Sequence, residues 1–263
     1  MVSGFTGIGK NFIIILLVIF SAGCSSMRNK PVEEMDAQHY FNHGIEMMGK
    51  KDYLKAIEDF ETVVNSFASS AIVDHAQLML AEANFMSEEY LTAAYEYERV
   101  YMDYPSSEFA PEAHYKKALC YYNLSPTATL DQENTQLAID EFNRFIDDYP
   151  SHQFISEAQE RIEELVSKLA YKDYLNAELY KKSKHLENNL DAALFYYRYV
   201  IDKYPRAIWA DYARFGIGEV NFMREEYEKA KEVFLLLVNK NTDMELNKKA
   251  SKMLNRIENL QKK

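Results

Sequence analysis

An all-α superhelix of five stacked helical hairpins closed by a C-terminal capping helix is the fold this 263-residue chain predicts. Three observations predict it. First, four stretches superpose: Val63-Val64-Asn65-Ser66-Phe67-Ala68, Val100-Tyr101-Met102-Asp103-Tyr104-Pro105, Phe145-Ile146-Asp147-Asp148-Tyr149-Pro150 and Val200-Ile201-Asp202-Lys203-Tyr204-Pro205. Each is followed at a fixed offset by a large apolar residue (Ile72, Phe109, Phe154, Trp209) and then by an alanine (Ala76, Ala113, Ala158, Ala213). A fixed period marks a repeat architecture. Second, 8 Gly and 6 Pro in a chain that is 48% hydrophobic and 27% charged suit helices rather than loops. Third, helix-period apolar patterns come in pairs from Asp36 onward.

The first element is an address. A single positive charge, Lys10, precedes the apolar run Phe12 to Phe20 and the small residues Ser21-Ala22-Gly23-Cys24, the order of a secretory signal. The run is too short to span a bilayer, which takes about 20 residues. Small residues before a cysteine resemble the bacterial lipoprotein box, in which the cysteine is acylated and becomes the mature N-terminus. Ser21 stands where that box usually has Leu. An ordinary signal peptide that happens to precede a cysteine is the alternative. Residues 1–23 are thus expected to be the signal, Cys24 the lipidation site, and the polar residues 24–35 a tether. The acyl chains that such a cysteine carries would anchor the protein stably. Ser25, in place of an Asp that would favour inner-membrane retention, points to the outer membrane with the body in the periplasm. Cys120 is then the one thiol left, and its apolar neighbours predict a buried, inert side chain and no disulfide.

The hairpins follow. Tyr40, Gly44, Met47 and Met48 share one face, with Tyr53, Ala56, Phe60 and Val63 on the next helix. The second hairpin gives Leu80 and Ala81, then Tyr90, Ala93, Tyr97 and Val100; the last gives Gly218, then Tyr227, Ala230, Phe234 and Leu237. These spacings resemble the tetratricopeptide repeat. Small residues let two helices cross closely and an aromatic fills the gap against the neighbouring repeat. The alanine period is irregular: 37 from Ala56 to Ala93, 45 to Ala138, 55 to Ala193 and 37 to Ala230. The first excess is a Pro-, Thr- and Asn-containing loop at 125–134. The second, at 157–184, has no Pro or Gly and predicts one long helix. That divides the chain into an N-terminal module, 36–155, and a C-terminal module, 156–263, whose amphipathic segment 245–261 caps the open end. The short basic run Lys181-Lys182-Ser183-Lys184 reads as a solvated turn.

Bulk chemistry narrows function. A formal net charge of -11 repels phosphate backbones, so nucleic acid is not an expected partner. Twenty Tyr and 15 Phe against one Trp fit inter-helix packing or, alternatively, a tyrosine-lined binding face. His39 and His43 have a zinc-capable spacing but lack the intervening glutamate of a zincin. They read as surface or groove histidines. Glu157, Glu160, Glu163 and Glu164 recur among basic residues as a solvated helix face. With no phosphate loop, nucleophile elbow or Cys–His pair in the sequence, an enzyme, a metal or a cofactor is not expected.

Taken together, the lipoprotein signal, the length, five repeats of which three end in Tyr-Pro (two of them Asp-Tyr-Pro), the loop in the third repeat and the long helix containing Leu169-Ala170-Tyr171-Lys172-Asp173-Tyr174 resemble the BamD family, lipoproteins of the outer-membrane β-barrel assembly machine. The resemblance implies a periplasmic adaptor that docks on the periplasmic domains of the barrel-assembly protein, alongside other assembly lipoproteins, and helps receive unfolded outer-membrane protein precursors. It implies precursor contact at Tyr40, His43, Met47, Gln77 and Asn84 in repeats one and two, and docking near Arg214, Asn221 and Arg224 in repeats four and five. A second reading is an envelope lipoprotein scaffolding cell-division or peptidoglycan-linked complexes; such proteins commonly carry an N-terminal coiled coil, and residues 25–36 leave no room for heptads. A glycan-binding lipoprotein would be longer and rich in surface Trp, whereas Trp209 is alone.

Overall fold

The computed structural model describes residues 36–183, 187–240 and 243–262, which form eleven α-helices and no strand. The signal segment, Cys24, the tether and Lys184 lie outside the described residues. Five hairpins pair α1 (Ala37–Gly49) with α2 (Tyr53–Ser66), α3 (Val73–Met86) with α4 (Tyr90–Asp103), α5 (Ala110–Leu124) with α6 (Glu133–Asp148), α7 (Ile155–Lys182) with α8 (Glu187–Lys203), and α9 (Ile208–Met223) with α10 (Tyr227–Lys240). The cap, α11 (Met244–Gln261), closes the far end, its N-terminus held by Asp243 Oδ1 accepting from Leu246 N at 2.7 Å.

Each helix packs on the next in line, and the substantial contacts that skip a helix join odd-numbered ones: α5 with α7, α7 with α9, α9 with α11. Elements that reach across a gap lie on the shorter radius. The odd helices therefore line the inner side of the solenoid and the even helices the outer side. Aromatic stacks run along that inner side. Phe109 stacks on His75 at 4.7 Å, Phe154 on Tyr115 at 4.7 Å and Trp209 on Tyr171 at 4.1 Å. Ile72, Phe109 and Phe154 stand at the N-caps of α3, α5 and α7 with no side-chain cap bond. There they spend a capping position on packing.

The four alanines that follow these residues, and the five that set the outer helices, are fully buried or within 1% of it. Fully buried aromatics face the small residues: ring centroids and glycine backbones approach so closely that a Cβ on Gly44 would meet Phe60 at 2.7 Å, and one on Gly218 would meet Phe234 at 2.6 Å. Within each of three hairpins the turn closes identically. The carbonyls of Met47, Asn84 and Asn221 accept from the amides of Asp52, Glu89 and Glu226 at 2.9, 3.0 and 2.9 Å. The residue before each of those amides, Lys51, Glu88 or Glu225, takes a left-handed φ of 61, 65 or 62°.

The loop between α5 and α6 is sewn down rather than free. Lys168 Nζ donates to Ser125 Oγ at 2.8 Å and Lys172 Nζ to the Leu130 carbonyl at 2.7 Å, both from α7. At 28 residues α7 is about 42 Å long. Its first half buries Ala158 and Leu165 against α5 and α6, its second half Ala170 and Ala177 against α8 and α9. Val166 and Leu169 pack against both of those cores, so hydrophobic packing is continuous across the joint.

One expectation is corrected here. Lys181-Lys182-Ser183-Lys184 is not a solvated turn at its start: Lys181 and Lys182 complete the last turn of α7. Lys181 is 11% exposed and bridges Glu178 and Glu219, each at 2.6 Å. Cys120 is fully buried and free, and burial pushes its thiol pKa up.

Candidate partner-binding surfaces

Superposition of the repeats shows what the predicted contact residues share. Tyr40, Gln77 and Arg214 occupy one repeat position, and Met47, Asn84 and Asn221 another. The second set lies under the hairpin turn just described, and Met47, Asn84 and Asn221 are all buried. Asn84 Nδ2 donates to the Leu80 carbonyl at 2.8 Å. Gln77, fully buried, donates Nε2 to the Glu96 carbonyl and carboxylate at 3.1 and 2.7 Å, tying α3 to α4. These four side chains hold the solenoid together and present no free surface. Tyr40 is half-buried; His43 is exposed, with Nδ1 2.6 Å from Asp59 Oδ2.

In the C-terminal module, Arg214 is half-buried and pairs with Asp211 at 2.7 Å, where Lys240 also converges at 2.8 Å. Arg224 ends α9 and pairs with Asp191 of α8 at 2.6 Å. Arg224 thus bridges two elements of its own chain, whereas Arg214 is paired within α9. Beside Arg224 the helices α9, α10 and α11 leave a depression of about 550 Å3. Leu190, Phe222, Met223, Tyr227 and Met253 line it together with the charged Glu219, Glu225 and Arg256. The Arg256 guanidinium lies over the Phe222 ring at 4.7 Å, so the lining mixes apolar and charged groups. A second depression, of about 450 Å3, lies at the other end between the start of α1 and the α2–α3 turn, lined by Gln38, Ser66, Phe67, Ser70 and Ile72.

Two buried ionic clusters stiffen the middle of the stack. Lys117 Nζ reaches Glu98 at 2.8 Å, Tyr101 Oη at 3.2 Å and Glu141 at 3.4 Å. Burial alone would raise the Glu141 pKa, but hydrogen bonding to His114 and the charges of Lys117 and Arg144 outweigh it and lower it. In the second cluster, Glu178 accepts from Lys181 and from Tyr197 Oη at 2.6 and 2.5 Å. Burial again opposes ionisation, and these two donors overcome it. Both clusters join neighbouring helices, and the second reaches the depression beside Arg224 through the Lys181–Glu219 pair. Among the described residues no group of three His, Cys, Asp or Glu is placed to hold a metal ion, and no helix is long and apolar enough to cross a membrane.

The exposed apolar residues are what sequence reading missed. Phe195 and Leu179 in the C-terminal module are each 64% exposed, although they sit in helices whose pattern explains burial elsewhere.

Comparison with known proteins gives one consistent result. The chain is 25% identical over 218 residues to the outer membrane protein assembly factor BamD of Rickettsia prowazekii (strain Madrid E), covering 83% of this chain and 85% of that protein. It is 24% identical over 220 residues to the BamD of Caulobacter vibrioides, covering 82% and 71%. Among solved structures it is similar to a TPR repeats protein from Bacteroides fragilis (14% identity, 86% and 99% coverage, TM-score 0.45) and to the TPR2AB domain of yeast Sti1 (12%, 84% and 98%, TM-score 0.43). Residues 33–229, three-quarters of the sequence, comprising four hairpins, α9 and the first turn of α10, match the family described as YfiO, an outer membrane lipoprotein. The chain belongs to the YfiO outer membrane lipoprotein family.

Proposed function

We propose that this chain is a lipid-anchored adaptor of outer-membrane β-barrel assembly, held at the periplasmic face of the outer membrane through Cys24. The observation that carries the proposal is the family match running unbroken from residue 33 through the repeats, the sewn-down loop and the long joint helix. A stack of helical hairpins suits an adaptor because it presents extended surfaces rather than an enclosed reaction site. The C-terminal repeats would dock the periplasmic domains of the barrel-assembly protein, and the depression beside Arg224, lined by Phe222 and Met253 and by Glu219, Glu225 and Arg256, offers an anchor site for a side chain of the partner. The N-terminal repeats would receive precursors, with Tyr40 and His43 as the accessible members of the set named from the sequence.

Depletion of the protein in its own cells tests the role. Folded outer-membrane barrel proteins should fall in step with it; normal barrel levels after full depletion would refute the proposal. Labelling with a lipid precursor in a wild-type and Cys24→Ala pair tests the anchor, and equal labelling of the two would remove Cys24 from it.

A further inference from the structure

The five outer helices share one register, fixed by the fully buried Ala56, Ala93, Ala138, Ala193 and Ala230. That register makes each repeat a control for the others. Two residues after the alanine, repeats one, three and five carry the exposed acids Glu58, Asp140 and Glu232, while repeat two carries Tyr95, 60% exposed, and repeat four Phe195, 64% exposed. Two residues before it, repeats three to five carry exposed Gln136, Asp191 and Glu228, while repeat two carries Leu91, 65% exposed, and repeat one Leu54, 74% exposed. Nine residues after it, the other four repeats carry exposed Asn65, Asp147, Asp202 and Asn239, while repeat two carries Met102, 67% exposed. Repeats one and four thus place one exposed apolar side chain each at these positions, and repeats three and five none. Helix α4 supplies three, and their i, i+4, i+11 spacing puts them on one face.

The surroundings select the occupant. Exposed Glu88 and Glu89 stand at the start of α4 and exposed Asp103 at its end. Residues 36–103 carry 13 acids against 4 bases. The base on α4, Arg99, is engaged by Glu96 and Asp103 at 3.2 Å each. An apolar stripe with an acidic rim repels anionic partners and favours a cationic one.

We propose that the outer face of α4 docks a cationic amphipathic segment of another polypeptide. Its apolar residues would cover Leu91, Tyr95 and Met102, and its Lys or Arg side chains would meet Glu88, Glu89 and Asp103. At 14 residues, α4 gives a track of about 21 Å, enough for four turns of a partner helix. This surface lies on the outer side and is separate from the inner and C-terminal surfaces assigned above, so either assignment can fail without the other.

The test is photo-crosslinking of the full chain in intact cells, with p-benzoylphenylalanine at position 95 and, as control, at position 232. The expected result is a protein adduct from position 95, absent from 232, whose mapped peptide alternates Lys or Arg with apolar residues at helical spacing. Leu91→Gln with Met102→Asp, residues that repeat three carries at the same positions, should leave the melting midpoint unchanged and cut adduct yield at least tenfold. Glu88→Lys with Glu89→Lys should do the same through charge alone. Absence of an adduct, equal adducts from 95 and 232, an adduct to lipid, to a second copy of this chain or to an acidic segment, or undiminished yield in both variants would overturn the proposal.

Discussion

Gly218 should resist replacement by alanine although it lies inside a helix. In an exposed helix interior, Gly→Ala gains about 1 kcal/mol. Here the added Cβ would sit 2.6, 2.7 and 3.1 Å from three ring carbons of Phe234, where ordinary carbon contacts need about 3.5–4.0 Å. The ring must retreat by about 1 Å to restore such contact. It has nowhere to go: Phe234 is fully buried and backed by Phe215 at 5.3 Å. Overpacking of this kind costs about 1–3 kcal/mol. The propensity gain offsets part of it, so Gly218→Ala should be destabilising by about 1–2 kcal/mol. Gly49, also helical, provides the opposite sign, because a Cβ there meets nothing within 4 Å; Gly49→Ala should stabilise by up to about 1 kcal/mol. Urea unfolding followed by circular dichroism reads both. Phe234→Leu in the Gly218→Ala background should lose less than the two single changes added together, because the smaller side chain makes room for the methyl group. If Gly218→Ala were as stabilising as Gly49→Ala, the close helix crossing that defines each hairpin would not exist as described.

Other outcomes follow from the turns and the ionic clusters. Glu88→Gly and Glu225→Gly should raise stability by up to about 1 kcal/mol each, since both residues hold a left-handed φ that costs a non-glycine about 1–2 kcal/mol, while Glu88→Val should lower it. Glu178 has a lowered folded-state pKa, so its contribution is present above the unfolded value of 4.5 and is lost as pH falls through the folded value. Glu178→Gln should therefore be destabilised at pH 7, by about 1–3 kcal/mol for a buried charged acceptor, and the gap to wild type should narrow below pH 4.5. A gap that stayed constant between pH 7 and pH 3 would mean that Glu178 is not held ionised by Lys181 and Tyr197.

Much of this architecture is legible in the sequence because repeats report on one another. The alanines at 76, 113, 158 and 213, the loop near 125–134, the long helix and the cap all occupy the places the irregular period implies. Face assignment on the inner helices is where reading stops. Helix α3 touches the helix before it and the helix after it, and its buried residues (Ala76, Gln77, Leu78, Leu80, Ala81, Ala83, Asn84) run round most of its circumference. Amphipathic periodicity then names no solvent side, which is why Gln77 and Asn84 were expected at a surface and are instead enclosed. Lys181 was illegible for a different reason. Its two carboxylate partners, Glu178 and Glu219, come from its own helix and from α9, 38 residues on, and only the fold brings the second one near. The outer stripe on α4 was legible in principle, because of the five aligned outer helices α4 is the one with an apolar residue at all three positions, Leu91, Tyr95 and Met102.

The assignment to barrel assembly rests on partners, and partner identity can be measured directly. The full-length chain, tagged at its C-terminus and purified in mild detergent from its own membranes, should bring down the outer-membrane barrel-assembly protein in near-equal amount. Recovery of cell-division or peptidoglycan-linked proteins in its place, with no barrel-assembly protein, would contradict the account.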